Sequence, residues 1–178
     1  MENKIGDLQI SIPQFIAQWR TKPHMFQANL WSFEVKAGKT AQAVFRESFD
    51  LERFNKPNST PWKPRAADLR AKKARKTIHI RPILTQTETL KKSITWKHLG
   101  GKNKPLGVNI YTDPDKFWTS ASHKGFCYAA VHNDPSGTHS YGNTSSPSIQ
   151  RQFMGHSSTL RIKLEENATP IIFKGFPK

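Results

Sequence analysis

Ile12, Phe15, Ile16 and Trp19 recur at the spacing of one helix face, and Ser11-Ile12-Pro13-Gln14 stands before them as a start signal. Ser11 can cap, and Pro13 falls in the first turn, where its missing N–H is tolerated. The pattern predicts a short amphipathic helix ending near Pro23, so residues 1–25 are expected to be an arm carrying that helix. A longer helix is predicted from about Asn29 to Phe49. Its stripe is Leu30, Phe33, Ala37, Ala41, Val44 and Ser48, widened by Phe26, Thr40, Phe45 and Phe49. Gly38 lies within this helix and can admit the close approach of another backbone.

The periodicity then stops. Residues 54–64 hold three prolines and read as a loop, with Trp62 a large apolar anchor expected to pin it to the core. Arg65 to Lys76 can form a basic helix, favoured by its alanines but with few residues large enough to pack. Residues 54–82 are thus a basic, Pro-containing loop and helix. Thr87 to Ile94 predicts a short helix with Leu90 and Ile94 on one side. It runs into a strand, Ser93–His98, in which Ile94 and Trp96 alternate. Gly100 to Pro105 is a turn, and Leu106–Thr112 returns as a strand, giving an antiparallel hairpin.

Lys116–Gly125 fits neither period. Phe126 to Asn133 is an apolar packed segment, within which Tyr128–His132 is too short to assign by period. Residues 133–150 are rich in Gly, Ser, Asn and Thr, the composition of a long functional or mobile loop. The tail fits two patterns. Ser157 can cap a helix to about Glu166, or Leu160, Ile162 and Leu164 can alternate in a strand paired with Pro170–Phe173. A long helix against a small sheet, with extended loops and arms, makes this a single α+β domain over residues 1–178.

Composition sharpens that picture. Apolar residues make up 35% of the chain, yet five Trp and eleven Phe supply large units of burial. A small core with much extended surface follows, some of it expected to be ordered only by neighbouring subunits or partners. The net charge is +15, unevenly placed. Pro61 to Lys104 holds thirteen Lys or Arg against Asp68 and Glu88, which is +11 of that total. Lys63, Arg65, Arg70, Lys72, Lys73, Arg75, Lys76, Lys91 and Lys92 are the candidate contacts to a polyanion or to an acidic protein face. A solvated basic arm without a specific partner is the plain alternative. The amino terminus lacks the features of a signal peptide, and no apolar run approaches the roughly 20 residues of a membrane span. A soluble protein made in the cytoplasm, with no membrane partner, is expected.

Candidate chemistry is sparse. Cys127 is the single cysteine, so no internal disulfide is possible. Its apolar neighbours suit a buried structural thiol. Cys127, His132, His139 and His156 match none of the close-paired zinc spacings. His132-Asn133-Asp134 superficially suggests a metal-dependent nuclease, but the acidic residues are too few and scattered to supply a converging ligand set. No phosphate-cradling Gly-rich motif is present. A non-enzyme without metal or cofactor is expected, with His132 a core or interface residue.

Four segments occur in an order that resembles the phage virion morphogenesis family, the tail-completion proteins of contractile-tailed phages. Thr60-Pro61-Trp62-Lys63-Pro64 looks like that family's Pro-Trp-x-Pro loop. Arg81 to Ile94 contains a stretch similar to its Leu-x-x-Thr-Gly-x-Leu-x-x-Ser-Ile. Tyr128-Ala129-Ala130-Val131-His132-Asn133 resembles Tyr-Ala-x-x-His-Gln, and Arg151-Gln152-Phe153-Met154-Gly155 resembles Arg-Pro-Phe-Leu-Gly. Glu88, Asn133 and Gln152 stand where the pattern has Gly, Gln and Pro. The resemblance spans nearly the whole chain.

The resemblance implies an α+β domain acting as a ring at the head–tail junction or tail end of a virion, after assembly in the host cytoplasm. It implies other phage neck, tail or connector proteins as partners; the basic stretch 61–104 would then face either genomic DNA in the lumen or an acidic neighbouring protein. Trp62, Leu90, Ile94, Tyr128, His132, Arg151 and Phe153 are the expected structural or interface anchors. The alternative is a basic DNA-binding or DNA-processing phage protein, with His132, Asn133 and Asp134 as the nearest thing to a site.

Overall fold

A computed structural model describes residues 12–64, 66–74, 83–84, 88–113, 115, 128–133 and 151–176, with backbone alone at 12–19, 21, 66–68, 71, 128 and 131. In chain order the elements are α1 (Ile12–Asp50), α2 (Ala66–Lys73), α3 (Thr89–Ser93), β1 (Ile94–His98), β2 (Val108–Thr112), α4 (Tyr128–Asn133) and α5 (Ser158–Ile172). The long helix α1 packs on the β1–β2 hairpin and on α5, which makes the α+β architecture plain. The strands pair antiparallel in the register Ile94↔Thr112 through His98↔Val108.

The core forms where the α1 stripe meets everything downstream. Ala41, Val44, Phe45 and Phe49 join Phe54, Trp62, Ile83, Leu90, Ile94, Ala129 and Phe153 in one buried cluster. Phe49 is fully buried at its centre, with its ring 5.1 Å from Phe153 and edge-on to Trp62 at 5.5 Å. Leu90 and Ile94 face this cluster from one side of the α3–β1 junction, as their spacing requires.

Two expectations are corrected. Pro23 does not end a helix, because α1 runs unbroken through it. A proline inside a helix removes one hydrogen bond and clashes with the preceding turn, a cost of about 3 kcal/mol. Here the chain's far end braces both sides of Pro23. Lys22 Nζ donates to the Gly175 carbonyl at 2.9 Å, and the Asn29 amide donates to the Ile172 and Lys174 carbonyls at 3.0 and 2.9 Å. Phe26 packs on Phe173 and Phe176, with ring centroids 6.4 and 6.2 Å away. Gly38 admits a side chain rather than a backbone: the Trp96 indole occupies the place a Cβ would take.

The tail resolves as helix. Ser157 Oγ accepts the Leu160 N–H at 3.2 Å, the N-cap bond that its position promised. Leu160 and Leu164 turn inward while Ile162 turns out, so the apparent alternation is split between two helix faces. Helix α1 stops with Glu52 in the left-handed region (φ 49) and the Arg53 N–H on the Ser48 carbonyl at 3.2 Å, a Schellman arrangement. Glu52 holds that conformation with both ends engaged. Its carboxylate accepts the Ile83 N–H at 2.8 Å, and its carbonyl accepts the Trp62 N–H at 2.7 Å.

Candidate functional site

The four landmark segments meet around Phe49 and Phe153. The Pro-rich loop enters through Trp62, whose Nε1–H donates to the Gln152 carbonyl at 2.9 Å. The return after the long polar loop enters through Phe153, fully buried, and Arg151, buried but charged. Arg151 donates through Nε and Nη2 to the Lys63 carbonyl at 3.2 and 3.0 Å, and its backbone N–H donates to the His132 carbonyl at 2.8 Å. The short helix α4 contributes Ala129 and His132, both buried. Asn133 Oδ1 accepts the backbone N–H groups of Phe153 and Met154 at 3.0 and 2.7 Å.

A polar seam runs beside this core. Ser48 Oγ donates to the Phe153 carbonyl at 3.3 Å and accepts the Asn55 N–H at 3.0 Å. The Asn55 side-chain amide donates to the Val44 carbonyl at 3.2 Å and to Glu47 at 2.8 Å, and Ser157 Oγ donates to the Asn55 carbonyl. These buried groups satisfy one another, as burial of polar atoms demands. They lock the end of α1, the Pro-rich loop, the return segment and the cap of α5 into one unit. Ser48 was legible as part of the α1 stripe; Asn55 was not, because nothing local marks a loop Asn as buried.

A second polar cluster joins α1 to the hairpin. Glu34 is buried, with His98 Nδ1 2.7 Å from its Oε2 and the Gly107 N–H donating to its Oε1. Trp31 stacks on the His98 ring at 3.6 Å between centroids, and Trp96 meets it edge-on at 5.2 Å. This fastens the hairpin to the helix.

The basic residues divide into two groups. Arg70, Lys72 and Lys73 lie exposed on α2, and Lys63 is exposed just before it. Lys91 pairs with Asp50, and Lys92 pairs with Glu88 at 2.9 Å across one helix turn, so these two cations are partly neutralised within the chain. Arg65, Arg75 and Lys76 lie outside the described residues, as do Cys127, His139, Asp134, the 134–150 loop and the side chain of Tyr128. A cleft of about 310 Å³ opens elsewhere, at the start of α5, lined by Lys56, His156, Ser157, Ser158 and Arg161. Among the described residues no group of three or more His, Cys, Asp or Glu is placed to hold a metal ion, and no described helix is long and apolar enough to cross a membrane.

The Glu88 departure from the resembling pattern has a geometric account. Glu88, which stands in the place of a Gly, takes φ 54 and ψ 4, the left-handed region that glycine enters without strain. Its carboxyl is held below the usual value by the hydrogen bond and charge of Lys92.

No family model matches the chain, and neither the curated proteins nor the solved structures contain a match.

Proposed function

We propose that this chain is a structural virion protein of a tailed phage, acting in a ring at tail completion or head–tail joining. The observation that carries the reading is the backbone at Glu88. A conformation suited to glycine occurs at the one position where the resembling pattern has glycine and this chain does not. The meeting of the four landmark segments around Phe49 and Phe153 supports the same reading, since each is then part of one scaffold.

In this role the core is a rigid mount. It carries α2 with Arg70, Lys72 and Lys73 outward, toward lumenal DNA or an acidic neighbouring protein. The partners are further copies of the chain and other neck or tail proteins. No cofactor is required, and the chain resides in the virion after assembly in the host cytoplasm. The nuclease-like alternative lacks a comparable observation, because Asn133 Oδ1 is already occupied by two backbone N–H groups.

Mass measurement of the purified chain, alone and mixed with purified tail proteins, tests the reading. A multi-copy complex in at least one condition is expected. A monodisperse monomer in both contradicts it, and metal-dependent DNA cleavage that vanishes in His132→Ala would establish the alternative.

A further inference from the structure

Two exposed surfaces of this chain set apolar side chains beside charges of opposite sign, lysines on one and glutamates on the other. The first is the tip of the hairpin. The Lys104 N–H closes on the Gly101 carbonyl and the Leu99 N–H on the Gly107 carbonyl, both at 2.9 Å, so the tip is a hydrogen-bonded knob. Leu99 and Leu106 are 57% and 63% exposed on it. Each leucine lies over the glycine that adjoins the other: a Cβ on Gly100 would meet Leu106 Cγ at 3.0 Å, and one on Gly107 would meet Leu99 Cδ1 at 3.9 Å. The two thus form one apolar patch, flanked by the exposed ammonium groups of Lys102 and Lys104.

The second surface is the outer face of α5. No residue of this 15-residue helix is fully buried. Leu160, Leu164, Ala168 and Ile171 line its half-buried inner side, while Ile162 stands 47% exposed on the outer side with Glu165 and Glu166 in the following turn. Spacings of three and four residues put these on adjoining ridges of one face. Among the described residues Glu165 has one loose, exposed partner, Arg161 at 3.8 Å, and Arg161 and Lys163 flank this strip on either side, Lys163 reaching Glu47 at 3.8 Å.

We propose that the hairpin tip of one copy docks on the outer face of α5 in the next copy. Leu99 and Leu106 cover Ile162, and Lys102 and Lys104 meet Glu165 and Glu166. The occupant is a second copy because the complement to a basic, apolar knob is present on the chain itself. Nucleic acid would satisfy the lysines and leave the leucines in water. Both surfaces are exposed within one copy, so the contact is between different patches, and such contacts repeat head-to-tail into a ring when the rotation closes. The inference rests on the ring reading and names its interface.

The test exchanges charge on the full chain. One variant carries Lys102→Glu with Lys104→Glu; the other carries Glu165→Lys with Glu166→Lys. Each is measured by sedimentation, alone and with purified tail proteins, with circular dichroism to confirm folding. Juxtaposed like charges should weaken self-association about tenfold or more in each variant. Mixing the two variants in equal amounts should restore it, because every tip then finds an opposite face, and an unfolded variant would not be rescued this way. Wild-type complexes whose mass is indifferent to both exchanges would overturn the interface while leaving the ring standing. A wild-type monomer in every condition would remove the ring and the interface together.

Discussion

Arg151 holds the backbone of Lys63 through two guanidinium nitrogens, at 3.2 and 3.0 Å from one carbonyl oxygen. One buried side chain so ties the return segment to the loop that leads into basic α2. Arg151→Lys keeps the charge and loses the fork. The cost should be about 1.5–3 kcal/mol, the usual range for a hydrogen bond to a charged group. It would be read as a lower denaturant midpoint at unchanged slope. A wild-type midpoint would show that the fork contributes nothing.

Trp62→Ala and Phe153→Ala each remove a buried aromatic ring from around Phe49. Each should cost about 3–5 kcal/mol, a large share of a typical total of about 5–15 kcal/mol. Trp62→Phe keeps a ring and loses the bond to the Gln152 carbonyl, for about 1 kcal/mol. Thermal melts separate the three. An unchanged Tm in both alanine variants contradicts the anchor roles.

Gly38→Ala sets a methyl where the Trp96 indole lies. Overpacking of this kind costs about 1–3 kcal/mol, opposed by about 1 kcal/mol of helix propensity. Combination with Trp96→Leu should recover most of the loss. Effects that simply add, within about 0.5 kcal/mol, would mean the two residues are not coupled.

Glu88→Gly should raise Tm by relieving the left-handed backbone, whereas Glu88→Ala should lower it by keeping the strain and losing the Lys92 pair. The Glu88 carboxyl is lowered from its ordinary 4.5 by Lys92. Its pair therefore stabilises the fold above that value and is lost as pH falls through the lower folded value. Glu88→Gln should be the less stable at neutral pH, with the difference from wild type closing as pH drops below 4.5. A difference that persists in acid would rule out the ion pair as its source.

Lys72→Glu with Lys73→Glu changes two exposed side chains of α2 and should leave Tm unchanged. If α2 meets DNA, retention on duplex should weaken and its logarithmic salt slope should fall by about 0.9 for each phosphate that is no longer neutralised. Retention with an unchanged slope would assign α2 to an acidic protein face or to plain solvent.

Much of this architecture is written in local pattern. The α1 stripe from Ala37 to Phe49, the Ile94–Trp96 alternation, the Gly-rich turn and the lone Trp62 each announce their role within a few residues. What local pattern hides is closed by distant partners. The helix survives Pro23 because Lys22, Phe26 and Asn29 are met by residues 172–176. Leu160, Ile162 and Leu164 satisfy strand and helix periods alike, and only the inward packing of Leu160 and Leu164 separates them. Glu34 looks like any surface acid of a helix until the hairpin brings His98 and the Gly107 N–H to it. Of the candidate site, the burial of Trp62, Leu90, Ile94, His132 and Phe153 follows from their apolar surroundings. The pairing of Lys91 with Asp50 depends on where α3 lands against the end of α1, which no spacing in the chain reports.

The most direct test of the central claim is an image of tailed-phage particles from cells that make this chain, averaged at the head–tail junction and tail end at a resolution that traces side chains. The account predicts several symmetry-related copies around the channel, built on the Phe49–Phe153 core with α2 facing DNA or a neighbouring protein. A particle in which the chain is absent, or present only as a single copy away from the channel, would contradict it.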